Sequence, residues 1–164
     1  MKKLFCAVIL GLSYICPTFA QHDDTIINNH TLIQRVDSLE HELTCLKWTY
    51  EINNLISELG IFSNQLYGES LNISINVYSK NFDSRLNEQN QIYLKACQRR
   101  VSSYSELVEL KKRLLLANME INKYSESERR MLMATYETLE TSFDQLKATL
   151  NFFKIAVDGY ADFF

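Results

Sequence analysis

Residues 132–164, LMATYETLETSFDQLKATLNFFKIAVDGYADFF, decide the fold. Leu132, Tyr136, Leu139, Phe143, Leu146, Leu150, Phe153, Val157, Tyr160 and Phe164 follow one another in alternating steps of four and three. All ten are apolar or aromatic, which lays a greasy seam along one side of a long helix. A seam of this kind is not stable in water, so other helices must cover it.

Upstream, the spacing predicts a first helix over 24–59. Leu32, Val36, Leu39, Leu43, Leu46 and Tyr50 keep the same four-three rhythm. Leu55, Ile56 and Leu59 extend it after a slip at Asn53, and Gly60 is placed as a C-terminal cap. A second helix is expected from Ser70, with the stripe Leu71, Ile75, Tyr78, Phe82, Leu86, Gln89, Tyr93, Cys97, Val101, Tyr104, Val108, Lys111, Leu115 and Met119. Ser103 and Glu106 have capping-box spacing, which favours a break near Ser102 and hence a further helix. Residues 122–127 form the next turn, and Ser125 with Glu128 is another capping box ahead of the seam.

Sheet proteins need frequent glycine and proline turns between short strands. Here the one proline is Pro17 and the four glycines are Gly11, Gly60, Gly68 and Gly159, so that punctuation is missing. The fold class is therefore all-α: an elongated antiparallel bundle of three to four long helices with coiled-coil-like seams, in a single domain over 21–164. Residues 1–20 read as a signal peptide. Lys2 and Lys3 precede the apolar run from Leu4 to Ile15, and small residues at Thr18 and Ala20 mark cleavage after Ala20. That run is shorter than the roughly 20 residues a membrane-spanning helix needs. The expectation is an exported protein, periplasmic or extracellular, and soluble once processed.

Removing the two signal lysines takes the formal net charge from −3 to −5, which lacks the footprint of a nucleic-acid binder. The basic clusters Arg99-Arg100, Lys111-Lys112-Arg113 and Arg129-Arg130 stand among glutamates, so ion pairs between and along helices are expected of them. His41 and Cys45 have metal-ligand spacing, but no third ligand is in evidence, and His22 and His30 lie in a polar N-terminal stretch. No nucleophile elbow, phosphate-binding glycine loop or paired CxxC occurs. No catalytic residue, cofactor site, metal site or small-molecule substrate is therefore expected.

Cys45 and Cys97 remain after processing. In an oxidising compartment they form an intramolecular disulfide, stay as buried thiols, or bridge two chains; the sequence leaves all three open. The last helix is apolar on nearly every side at its end, because Phe152, Ile155 and Phe163 lie off the seam. With Phe164 they make a candidate docking patch for a protein partner, a second copy or a membrane surface, unless neighbouring helices simply enclose them. The function expected is a non-catalytic interaction or structural role in the cell envelope. The alternative is a periplasmic holdase or lipid-surface binder gripping with that helix end.

Overall fold

A computed structural model describes residues 24–121 and 124–164, with side chains from Thr31 onward. The segment expected to be a signal peptide, the cleavage site expected after Ala20 and His22 lie outside the described residues, as does the side chain of His30. Among the described residues there are three helices and no strand: α1 (Asp24–Tyr78), α2 (Ser84–Ile121) and α3 (Glu126–Ala161). The chain falls into two compact units, one ending at Glu40 and the other running from His41 to Phe164.

In the first unit, every position from Thr31 to Glu40 is exposed, including Leu32, Ile33, Val36 and Leu39. The second unit is the bundle. Glu51 pairs with Lys111 at 2.6 Å, and the Arg100 guanidinium lies 4.3 Å from the centre of the Phe62 ring, so α2 runs antiparallel to α1. Lys112 meets Glu140 at 3.2 Å and Tyr93 meets Phe153 edge to face, so α3 turns back along α2. Ser63 and Thr149 share a hydroxyl hydrogen bond of 2.9 Å, and Tyr67 stacks on Phe152, which aligns α3 parallel with α1.

The opening seam is the core. Eight of its ten residues are buried, from Leu132 to Tyr160, while Leu150 is half-buried and Phe164 exposed. Its capping box forms: the Ser125 hydroxyl accepts from the Glu128 N–H, and the Glu128 carboxylate accepts from the Ser125 N–H. From α2 the core takes Leu94, Cys97, Val101, Tyr104, Val108, Leu115 and Met119.

Three expectations are overturned on the way. The first helix does not end at Leu59, and no second helix begins at Ser70. Instead α1 continues through Gly60 and Gly68 to Tyr78, and a Cβ built at either glycine meets nothing. A glycine inside a helix costs about 1 kcal/mol, whereas burying Leu59, Phe62 or Leu66 contributes about 1.5–3 kcal/mol each. Packing wins. The real stop is a Schellman motif with Lys80 at φ 53° in the left-handed position: Asn81 N–H reaches Asn76 C=O and Lys80 N–H reaches Val77 C=O.

Nor is there a break at Ser102. The Ser103 hydroxyl donates back to the Arg99 carbonyl within a continuous helix, so the bundle has three helices rather than four.

The third correction concerns which side of α1 is inside. Cys45, Ile52, Leu55, Leu59, Phe62, Leu66 and Ile73 are buried, with Trp48 and Val77 packed against them. Leu32, Val36, Leu39, Leu43, Leu46 and Tyr50 were expected to pack in the bundle, yet they are between 47% and 67% exposed. Between 43 and 52 the two sets are offset by two residues, or about 200° around the helix at 3.6 residues per turn. They occupy opposite faces.

Candidate functional site

The two cysteines are buried and free. Because Glu51 faces Lys111 and Phe62 faces Arg100, the α2 position opposite Cys45 lies near residue 117. That is about 20 residues from Cys97, or about 30 Å along the axis, far beyond disulfide reach. Burial pushes both thiols up from their ordinary range, with the Glu128 carboxylate adding to the effect at Cys45. Neutral, enclosed thiols are poor nucleophiles.

His41 is spent on packing, its ring edge-on to Tyr124 at 5.1 Å. Among the described residues, no group of three or more His, Cys, Asp or Glu side chains is arranged to hold a metal. The basic clusters are largely consumed by pairing. Lys111 and Lys112 bridge to Glu51 and Glu140, Arg113 and Arg130 pair one turn back with Glu109 and Glu126, and Arg129 donates to the Met119 and Tyr124 carbonyls. The Lys111 hydrogen bond holds the Glu51 carboxyl below its usual range.

A groove between α2 and α3, lined by Glu109, Tyr136, Glu140, Asp144 and Lys147 among others, gathers several charged and polar groups. There the Tyr136 hydroxyl donates to Glu140 at 2.9 Å, and burial together with that bond drives its ionisation well above the ordinary phenol range. A phenol held neutral beside a carboxylate already shared with Lys112 offers neither a free base nor an activated nucleophile.

Two apolar surfaces remain. The first is the end of α3. Phe163 stacks on Phe82 at 4.3 Å and Phe164 meets the same ring edge-on at 6.4 Å, while the buried Tyr160 lies alongside. The Tyr160 hydroxyl donates to the Asn81 carbonyl at 3.1 Å and accepts from the Asp83 N–H at 2.9 Å, so it clasps both sides of the α1–α2 turn. Phe152 is engaged with Tyr67. Ile155, 60% exposed, borders a shallow groove with Ser74, Val77, Tyr78, Ala156 and Gly159. Of the four residues Phe152, Ile155, Phe163 and Phe164, three thus have intramolecular aromatic partners while keeping about half their surface exposed.

The second surface is the outer stripe of α1, Leu32 to Tyr50, which sequence reasoning assigned to the core. A signal for the difference was present. The slip at Asn53 is where the outer register runs into Asn53, Ser57, Gly60 and Asn64, while a second, inner register has already started at Cys45. Where the two apolar registers overlap on opposite sides of α1, the helix has one more apolar face than a three-helix bundle covers.

No helix among the described residues is long and apolar enough to cross a membrane. Comparison with protein-family models, with curated proteins and with solved structures returns no match.

Proposed function

We propose that this chain is an exported, non-catalytic helical-bundle protein that works by helix-to-helix association, as an interaction or structural component of the cell envelope. The observation that carries the reading is the outer stripe of α1. Six large apolar side chains at heptad spacing stay 47–67% exposed, while the same spacing on α3 is buried almost throughout. Exposed apolar surface of that extent and regularity favours a docking face over ordinary surface scatter. Export is supported by the two-lysine start, the apolar run Leu4–Ile15 and the small residues at Thr18 and Ala20.

The test is position-specific crosslinking in the cells that make the protein. A photo-reactive side chain at Leu43 or Leu46 is expected to give a discrete adduct with another polypeptide, while one at the exposed Glu137 gives none. Equal yields from both faces would end the reading, absence of the chain from envelope and external fractions would end the export part of it, and an N-terminus other than Gln21 there would refute cleavage after Ala20. The exposed Ile155 groove favours a second reading, a holdase or lipid-surface binder using the end of α3. Flotation with anionic vesicles that is lost in Ile155→Asp would support it.

A further inference from the structure

We infer that the partner on the outer face of α1 is a second copy of this chain, its α1 lying parallel and in register over Leu32–Tyr50. The inference rests on the docking reading above and adds the occupant. In heptad terms Val36, Leu43 and Tyr50 take the a positions and Leu32, Leu39 and Leu46 the d positions. A strict seven-residue repeat imposes a left-handed supercoil with a matching helix, and leucine at every d with a β-branched residue at one a suits a parallel pair.

The flanking charges select both partner and direction. Arg35 and Glu42 fall at g, Glu40 and Lys47 at e, and all four are exposed. In a parallel, in-register pair each g residue meets the e residue five positions later on the other copy. Arg35 then meets Glu40 of the second copy and Glu42 meets its Lys47. By symmetry there are four contacts, all between opposite charges. In the antiparallel alignment that overlaps the same six layers, Glu40 meets Glu40 of the second copy and Glu42 meets its Glu42, so like charges oppose at both places. The self-complementary arrangement is the parallel one.

The extent is sufficient. Twelve a and d side chains across two copies, each with roughly 80–100 Å² to lose, come to on the order of 1,000 Å², the lower bound for a specific interface. The seam also has a defined end. Past Tyr50 the same register presents Asn53, Ser57, Gly60 and Asn64, so the pairing stops there.

Charge exchange on the full processed chain tests this. One variant carries Arg35→Glu with Glu42→Lys, the other Glu40→Arg with Lys47→Glu. Every substitution lies on an exposed helix position, and an unchanged urea midpoint at low protein concentration checks that each variant folds. By sedimentation at low salt, the unaltered protein is expected at twice the chain mass at about 50 μM, and each variant alone should self-associate more than about tenfold more weakly. Mixed together the two variants make four opposite-charge contacts again, and the paired mass is expected to return. An unaltered protein that is monomeric overturns the inference, as does a dimer indifferent to both exchanges or a mixture that fails to recover. A monomer that still forms the Leu43 adduct with a different polypeptide sinks self-pairing and leaves the docking reading standing, whereas a monomer with no adduct removes both.

Discussion

Leu39 and Leu139 are the same residue type in the same helical rhythm, one 63% exposed on α1 and the other fully buried on α3. Truncating each to alanine separates what the bundle holds from what a second chain holds. Leu139→Ala removes about three carbon groups from a closed core and leaves a cavity, which costs about 2–5 kcal/mol. Leu39→Ala in an isolated chain touches little and should stay within about 0.5 kcal/mol. In the paired chain the exposed three-fifths of that leucine is buried too. At about 0.8 kcal/mol per carbon group the added loss is about 1.4 kcal/mol per copy, or about 3 kcal/mol per pair. The assay is urea unfolding at about 1 μM and about 100 μM. Coupling to association adds up to about 2.7 kcal/mol per hundredfold rise in concentration. The unaltered protein and Leu139→Ala are expected to keep that concentration dependence, and Leu39→Ala to lose most of it. A Leu39→Ala protein indistinguishable from the unaltered one at both concentrations would refute the pairing. A Leu139→Ala cost under about 1 kcal/mol would refute the assignment of the core itself.

Three further outcomes are expected. Tyr160→Phe strips the hydroxyl that ties Asn81 to Asp83 across the α1–α2 turn and should cost about 1–3 kcal/mol, read as a lower urea midpoint with an unchanged slope. Gly68→Ala fills open space in the interior of α1 and should stabilise by about 0.5–1 kcal/mol, or about 1–4 °C in Tm; a loss would mean the backbone there is not helical. Burial raises the ionisation of Cys45, Cys97, Tyr124 and Tyr136, so the unfolded chain ionises first and their contribution is whole only below the unfolded values. Stability should therefore fall as pH rises past about 8.5 for the thiols and about 10 for the phenols, by up to about 1.4 kcal/mol per pH unit per group. Between pH 8.5 and 9.5 a Cys45→Ala, Cys97→Ala double variant should flatten that decline, and an unaltered slope would show the thiols are not enclosed.

What the sequence disclosed and what it concealed follow from the range of the interactions involved. The α3 seam and the Ser125–Glu128 box were legible because spacing and local hydrogen bonds determine them. The α1–α2 turn was hidden because its left-handed residue is Lys80 rather than glycine. The true glycines, Gly60 and Gly68, sit mid-helix, where packing by Leu59, Phe62 and Leu66 outweighs their cost. Ser103 and Glu106 have capping spacing but no chain reversal to cap, and the hydroxyl turns to the Arg99 carbonyl instead. Of the candidate surfaces, the aromatic end of α3 was visible as an excess of apolar residues. Its use of Phe82 as a stacking platform depends on where the turn falls, so it was not.

The stripe Leu32–Tyr50 has the spacing of a core seam and yet stays exposed. A heptad stripe states that a helix face needs a partner; it does not say whether the same chain supplies it. On α1 two stripes compete, and geometry lets α2 and α3 cover only one. The inner one wins because its residues run on unbroken from Cys45 to Leu66 and so can pack along the length of both neighbours, whereas the outer one gives out at Tyr50. The leftover stripe begins within Thr31–Glu40, where every position is exposed, and a helix that buries so little is only marginally stable by itself. The same pairing that covers the leftover stripe would therefore add burial to this stretch. Amide exchange over residues 31–40 should then slow with rising protein concentration, while exchange at core positions of α3 barely changes; protection that ignores concentration would detach the two.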